Sequence, residues 1–207
     1  SDLNSGRPEL MVRGIDRGRE LLPLFAQATG IVLGSGLGLT SWSRELMSFV
    51  LESDLPVVVD GDGLTLLAEH RFSNERWVLT PHPGEAARLL RCSSLQIQDN
   101  RLDAIQKIQE AYGGVCVLKG AGTLVLSQKS DLLLCDHGNS GMASAGMGDV
   151  LAGIIGSLIV QGSTVEDAAV GGTWLHSKAG DLAIEEGKKG LIASDLLLPV
   201  RRLINNP

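Results

Sequence analysis

The sequence predicts an α/β fold of three layers, with helices on both faces of a mainly parallel central sheet and an antiparallel hairpin at one sheet edge. Short apolar runs rich in β-branched residues alternate with runs of helical period, which is the pattern of parallel βα units. The last two strand candidates are separated only by residues 128–131, a spacing typical of a hairpin. With 43% hydrophobic and 20% charged residues, the 207 residues suffice for a substantial core. We therefore expect a single domain over residues 1–207.

Six segments are typical of β-strands because β-branched and other apolar residues predominate in them. Four of the six are apolar enough to predict full burial. In chain order the predicted strands cover residues 31–33, 57–59, 77–79, 115–118, 123–126 and 132–135.

Helices are predicted between and after these strands. The apolar period favours helices over residues 17–28, 43–51, 84–91, 99–112, 148–161 and 164–186. Thr164 and Asp167 fit a capped helix start, and Gly187 fits the end of the same helix. Ser194 is a cap candidate for a final helix. Because Pro199 falls inside that pattern, the helix either begins after Ser194 or is kinked at the proline.

Composition and charge exclude several classes of protein. A formal net charge of −6, without a cluster of lysine and arginine, argues against nucleic-acid binding. The longest apolar run, residues 150–160, falls short of the roughly 18 residues of a membrane span, so we expect a soluble protein and no membrane partner. Three widely spaced cysteines favour reduced thiols and a cytoplasmic location: Cys92, Cys116 and Cys135.

Glycine and polar residues concentrate directly after the predicted strands. In open α/β sheets, ligands bind outside the carboxyl ends of the strands. Four of these ends read GSGLG at 34–38, DGDG at 60–63, TPHPGE at 80–85 and KGAGT at 119–123. Each alone is also compatible with an ordinary turn or strand end, but together they predict one ligand site.

Two of these strand ends carry candidate side chains. Asp60 and Asp62 point the same way if the preceding strand continues, which favours a Mg²⁺ or a water-held phosphate; turn aspartates are the alternative. His82 lies between Pro81 and Pro83, in a stiff segment that could offer its imidazole to a ligand. A purely structural histidine is the alternative here.

The segment 138–162 is the most informative part of the chain. Small and glycine residues precede a run that is apolar all round, and a single acid, Asp149, lies at the junction. This composition indicates a loop that leads into the N-terminus of a buried helix, where free amides and the helix dipole attract anions. A carboxylate beside a phosphate site suits a base that takes a proton from an attacking hydroxyl. The alternative is an ordinary first-turn acid.

Taken in order, these segments resemble the ribokinase-like NAD(P)H-hydrate dehydratases, a domain often fused to a hydrate epimerase in bacteria. The resemblance extends over about residues 7–207. It is carried by GSGLG at 34–38, DGDGL at 60–64, TPHPGEAARLL at 80–90, YGGVCVLKGAGT at 112–123 and GNSGMASAGMGDVLAGIIG at 138–156.

The resemblance implies a three-layer ribokinase-like fold and a lyase that repairs nicotinamide cofactors. Such enzymes use ADP or ATP, with Mg²⁺, to dehydrate the (S)-6-hydroxy form of NAD(P)H hydrate to NADH or NADPH. The hydroxyl is phosphorylated, and phosphate is then expelled by the electron pair of the ring nitrogen. The resemblance also implies a homo-oligomer, typically a homotetramer, and an epimerase domain that is fused or separate.

Residue roles follow from the same resemblance. Asp149 is the expected catalytic base and also binds substrate, together with Gly36, Gly38 and His82. Residues 139–143 shape the wall near the phosphates. Glu85 is the first-turn acid of a helix. The expected nucleotide-binding residues are Lys119, Gly120, Ala121, Gly122, Thr123, Gly146, Met147 and Gly148.

The chain departs from the family pattern at its start. Family members begin with a further βα unit, so we expect an N-terminally incomplete domain with a partly open site and little activity. Ser35, Gly61 and Thr65 replace the usual proline, alanine and asparagine, which weakens the metal assignment to Asp60 and Asp62. Two other functions remain open: a ribokinase-like kinase of a small molecule such as a vitamin precursor, and a non-catalytic nucleotide-binding module.

Overall fold

The computed structural model describes residues 9–185 and 187–205, and in them the predicted strands form one six-stranded sheet. The strands follow chain order across the sheet. The first four are parallel, whereas the fifth and sixth are antiparallel to their neighbours, so the mixed sheet with an edge hairpin is confirmed. The strands are β1 Ile31–Leu33, β2 Val57–Val59, β3 Trp77–Leu79, β4 Val115–Leu118, β5 Thr123–Ser127 and β6 Leu133–Cys135.

Helices connect and cover these strands. The α-helices of the described residues are α1 Leu22–Phe25, α2 Ser41–Leu51, α3 Gly61–Glu69, α4 Pro83–Leu90, α5 Ser94–Asp99, α6 Arg101–Tyr112, α7 Met147–Val160, α8 Val165–Ala183 and α9 Leu197–Asn205. Short 3-10 turns cover Gly18–Leu21, Ser140–Met142 and Ala193–Leu196. No helix of the described chain is long and apolar enough to cross a membrane.

The sheet separates two hydrophobic layers, because successive side chains of a strand point to opposite faces. Val57 and Val59 join the side chains of α2–α6 on one face. Val58 points the other way and packs with α7 and α8. A smaller cluster joins α7, α8 and α9. The three-layer α/β architecture is therefore confirmed.

Several predicted elements need correction. The prediction missed α3, because the glycines and aspartates of residues 60–63 suggested a turn. It also missed α5, a short helix that Asn100, the N-cap of α6, separates from α6. The first predicted helix, 17–28, is a 3-10 turn followed by the four residues of α1. Three strands are buried at every residue rather than four, since β1 is an edge strand of the described sheet and Val32 is half-exposed.

The end of the chain resolves the alternative posed by Pro199. The α-helix α9 begins at Leu197, so the proline lies in its first turn. Backbone N–H groups of the first turn have no acceptor within the helix, so a proline there costs no helical hydrogen bond. The preceding helix α8 ends at Ala183, earlier than predicted. Its predicted last residue, Glu186, lies outside the described residues.

Candidate active site

A cavity of about 820 Å³ lies at the carboxyl ends of the central strands. Its walls come from the loops after β2, β3, β4 and β6, from the start of α7 and from one face of α8. The predicted site residues in this wall are Asp60, His82, Lys119, Gly120, Ala121, Gly122, Thr123, Gly146, Met147, Gly148 and Asp149. The structure therefore brings these predicted residues together around one cavity at the carboxyl ends of the parallel strands.

The N-terminus of α7 opens into this cavity without a side-chain cap. Gly146 has a φ of +84° and makes no side-chain capping bond, although its carbonyl accepts the first helical bond from Val150 at 3.0 Å. No group of the described residues accepts a hydrogen bond from the backbone amides of Met147, Gly148 or Asp149. Unpaired amides at a helix start form an anion-binding site.

Gly148 brings this terminus against the charged end of β4. A Cβ on Gly148 would lie 3.1 Å from Lys119 Nζ and 3.5 Å from Asp60 Oδ2. The next residue, Asp149, is exposed on the first turn and lines the cavity. One small space therefore holds amide donors, an ammonium group and a carboxylate.

Lys119 is held by a nearly buried ion pair. Its Nζ lies 2.6 Å from Asp60 Oδ1, and the two side chains are only 17% and 5% exposed. The same Oδ1 accepts a hydrogen bond from Thr80 Oγ1 at 2.7 Å. Because Oδ1 makes both bonds, the second oxygen of Asp60 is left facing Gly148. The pair fixes the ammonium at the strand ends.

The start of α4, in contrast, is closed by a reciprocal capping box. His82 Nδ1 accepts hydrogen bonds from the amides of Gly84 at 2.9 Å and Glu85 at 3.3 Å. Glu85 Oε2 accepts from the amide of His82 at 2.7 Å. Since Nδ1 is an acceptor, a neutral His82 carries its proton on Nε2 and can only donate from that atom. The PHPGE segment therefore holds the His82 imidazole in the cavity wall, with Nε2 close to the carboxylate of Glu85.

Glu85 does more than begin a helix. Its carboxylate is buried and lies 3.6 Å from Lys119 Nζ and 3.4 Å from His82 Nε2. It therefore links the two predicted site residues. The reading of Glu85 as a first-turn acid is confirmed, but its contact with Lys119 depends on the packing of β4 beside β3, which the local sequence does not reveal.

Arg101, at the start of α6, binds the backbone of the KGAGT loop. Its guanidinium donates to the carbonyls of Ala121 at 2.7 Å and Leu118 at 3.0 Å. Burial lowers the pKa of Arg101. Gly120 has a φ of +152°, and a Cβ there would lie 3.0 Å from the same guanidinium, which explains the glycine. Sequence reasoning missed Arg101, because it lies on another element and its partners are backbone atoms.

The predicted partnership of Asp60 and Asp62 has a different geometry from the one expected. The strand ends at Val59 and α3 begins at Gly61, so the two carboxylates diverge. Asp62 Oδ2 accepts a hydrogen bond from the amide of Gly38 at 2.8 Å. In the chain as described, no three His, Cys, Asp or Glu side chains are grouped to hold a metal ion.

The GSGLG loop lies beside the cavity. Its predicted substrate residues, Gly36 and Gly38, are not among the residues that line it. Both have positive φ angles, +65° and +75°. Gly34 must be glycine, because a Cβ there would collide with the carbonyl of Asp60. The structure therefore places this loop against the start of α3, with Gly61 between it and the cavity.

The last wall combines the loop 136–144 with α8. Asn139 Nδ2 donates to the carbonyl of Gly180 at 2.9 Å, which ties the loop to the helix. The face of α8 that lines the cavity carries Thr173, His176 and Ser177. Burial lowers the pKa of His176 to about 4, partly offset by the backbone of Met147, so its imidazole is neutral at pH 7. Sequence reasoning did not single out these three residues, because α8 follows the glycine-rich loop and showed only helical period.

Comparison with solved structures defines the class of protein. A ribokinase-like superfamily protein from Enterococcus faecalis is 30% identical and superposes with a TM-score of 0.83, covering 98% of this chain and 72% of its own. The fold is therefore ribokinase-like, as expected. An ADP/ATP-dependent NAD(P)H-hydrate dehydratase from Bacillus subtilis, co-crystallised with ATP and Mg²⁺, is 28% identical with a TM-score of 0.78, covering 86% of this chain and 64% of its own.

Sequence comparison narrows the class to a family. The sequence model of the NAD(P)H-hydrate dehydratases matches residues 1–200, and the chain belongs to that family. A bifunctional NAD(P)H-hydrate repair enzyme from Coxiella burnetii is 48% identical over 200 residues, which are 96% of this chain and 41% of that protein. An ADP-dependent (S)-NAD(P)H-hydrate dehydratase from Neisseria meningitidis is 37% identical, covering 98% and 70%. The chain thus spans about two fifths of the bifunctional relative.

Proposed function

We propose that this chain catalyses the nucleotide-dependent dehydration of (S)-NAD(P)H hydrate to NAD(P)H. The observation that carries the proposal is the open N-terminus of α7, with Asp149 on its first turn and Lys119 beside Gly148. The family supplies the substrate class, and the Neisseria relative is named as ADP-dependent, so ADP is the proposed phosphoryl donor, with ATP as the alternative. The proposed role is the repair of hydrated nicotinamide cofactors.

Asp149 is the proposed catalytic base. In the proposed reaction its carboxylate takes the proton of the substrate hydroxyl as the oxygen attacks the terminal phosphorus. The P–O bond to the remaining nucleotide breaks, and the new phosphate ester forms. Phosphate then leaves with the electron pair of the C–O bond while the ring nitrogen donates its own pair, which forms an iminium ion. Loss of a proton to water from the ring carbon next to the former C–O carbon forms the C=C bond, returns the pair to nitrogen and restores the dihydronicotinamide. Phosphoryl transfer chiefly requires such positioning and charge stabilisation.

The amides of Met147 and Gly148 and the ammonium of Lys119 are the proposed donors to the transferred phosphoryl group. They are fixed before the reaction, because Asp60 holds Lys119 and the helix holds the amides. Gly120–Thr123 are proposed to approach the nucleotide through their backbone. His82 is proposed to donate from Nε2 to the substrate, while Gly36 and Gly38 shape its pocket from the adjacent loop.

Mg²⁺ fits this site best as a companion of the nucleotide. It usually retains water and binds through one or two carboxylates plus substrate phosphates. Asp60 suits that role, because its second oxygen faces Gly148. Asp62 suits it less, since it accepts a hydrogen bond from Gly38. When bound, the ion would neutralise phosphate charge. A cytoplasmic location, a homo-oligomer such as a homotetramer, and a fused or separate epimerase domain complete the proposal.

The experiment incubates this chain with (S)-hydrated NADH, Mg²⁺ and either ADP or ATP. We expect recovery of the absorbance of reduced nicotinamide, with one phosphate released for each NADH formed. A stable phosphorylated product without NADH would instead favour the vitamin-precursor kinase. Binding of ADP without any turnover would make the chain a nucleotide-binding module and would contradict the enzymatic proposal.

A further inference from the structure

Two buried polar atoms of the cavity have no hydrogen-bond partner in the described chain: Thr173 Oγ1 and His176 Nε2. Thr173 is 1% exposed and His176 is 8% exposed. Both residues line the cavity. Buried polar groups in native proteins nearly always find a partner, so these two atoms require one that the described residues do not supply.

Thr173 and His176 lie three residues apart on α8, so their side chains share one face of that helix. The facing wall is apolar at Met147 and Leu151 of α7. A hydroxyl both donates and accepts, and a neutral imidazole offers one donor and one acceptor. Because burial keeps His176 neutral at pH 7, this part of the wall offers hydrogen bonds without charge.

The backbone of Met147 hydrogen-bonds the His176 ring, but the described structure uses neither Thr173 Oγ1 nor His176 Nε2. Other residues hold the neighbouring loop to α8: Asn139 donates to Gly180, and Asp181 accepts from Gly138. The ion pair of Lys119 and Asp60 lies against Gly148 at the start of α7, whereas the His176 ring hydrogen-bonds the backbone of Met147. The cavity is thus divided into a charged part and an uncharged polar part.

We propose that Thr173 and His176 form a subsite for an uncharged group that carries a hydrogen-bond donor next to an acceptor. Two parts of the ligands in the proposed function have this chemistry: the edge of the adenine base and the carboxamide of the nicotinamide. The inference rests on that function, because it takes its ligands from it. Either group would satisfy both buried atoms within an otherwise apolar wall.

Binding of two probes tests this subsite without turnover. ADP carries adenine but no carboxamide, and reduced nicotinamide mononucleotide carries the carboxamide but no adenine. Calorimetric titration of the wild type and of Thr173→Val and His176→Phe should show affinity about tenfold weaker for one probe, the loss of one good hydrogen bond. Loss for ADP alone identifies the base, and loss for the mononucleotide alone identifies the carboxamide.

The conservative variant Thr173→Ser is the matched control, because it keeps the hydroxyl and should bind both probes like the wild type. Unchanged affinity of both disruptive variants for both probes would overturn the subsite, even if their thermal stability changes. A wild-type chain that binds neither probe would overturn the proposed function as well. Binding by the wild type with no effect of the variants overturns only the subsite.

Discussion

Two helices begin at the same cavity, and they begin in opposite ways. The first amides of α4 are occupied by His82 Nδ1, and Glu85 closes the box from the other side. The first amides of α7 follow Gly146, which has no side chain to offer them. A capped terminus fixes the orientation of its side chains, whereas an uncapped one keeps its donors and its positive dipole end for a ligand. The cavity thus combines a positioning terminus with a binding terminus.

This difference also divides the chemistry. At α4 the useful group is a side chain, since His82 presents Nε2 from a rigid PHPGE segment. At α7 the useful groups are backbone amides, and the only acid of the first turn is Asp149. Changes at α7 should therefore affect phosphoryl transfer and nucleotide binding, whereas changes at α4 should affect substrate positioning.

The largest effect is expected for Asp149→Asn, at the open terminus. The amide keeps the size of the side chain but cannot accept the proton, so turnover should fall on the order of 10² to 10⁴-fold. ADP affinity should stay close to that of the wild type, because the amides of α7 are unchanged. Steady-state rates with hydrated NADH and a calorimetric ADP titration measure both quantities. Full turnover in the variant would remove Asp149 from the mechanism.

The free energy of unfolding should depend on pH through His176, whose ring hydrogen-bonds the backbone of Met147 at the open terminus. The pKa of folded His176 is lowered by burial from 6.5 to about 4. The unfolded chain therefore binds more protons between these values, so this contribution is fully present above pH 6.5 and is lost as the pH falls towards 4. The shift corresponds to at most about 3 kcal/mol of unfolding free energy. Urea unfolding across this range should show the slope, and His176→Phe should flatten it. An identical pH dependence in the variant would contradict the assignment.

Gly148→Val tests the space at the open terminus. The new side chain would meet Lys119 Nζ, since even a Cβ would lie 3.1 Å from it. ADP affinity should fall at least about tenfold, equivalent to about 1.4 kcal/mol. Gly153→Ala is the control on the same helix, because its added Cβ would meet no described atom within 4 Å beyond its chain neighbours and its own helix backbone. Equal ADP affinity in the two variants would show that the cradle at Gly148 is not the binding surface.

The smallest effect is expected at the capped terminus. Asparagine is a good N-cap, so His82→Asn should keep the helix start while removing the Nε2 donor. We expect a several-fold rise in KM for the hydrated cofactor with the melting temperature unchanged. His82→Leu removes the cap as well and should cost about 1 kcal/mol of stability. A loss of stability in the asparagine variant as large as in the leucine variant would indicate that the capping role is misassigned.

Local sequence predicted the strands well because buried strands consist of β-branched runs, such as the three valines of residues 57–59. It also predicted which strand ends meet at the cavity, because glycines and acids follow those strands. It missed α3, since DGDG resembles a turn, although the helix begins within it at Gly61. It also missed the links of Glu85 to Lys119 and of Arg101 to Ala121. These depend on which strands are neighbours, and no local pattern encodes that.

The central claim is that the open amides of α7 bind the phosphates of the nucleotide. An NMR titration of the chain with ADP tests it most directly, through the backbone amide resonances of the two helix starts. We predict large shifts at Met147, Gly148 and Asp149, with little change at Gly84 and Glu85, whose amides already donate to His82. Unmoved resonances at the start of α7 in a chain that binds ADP would contradict the account.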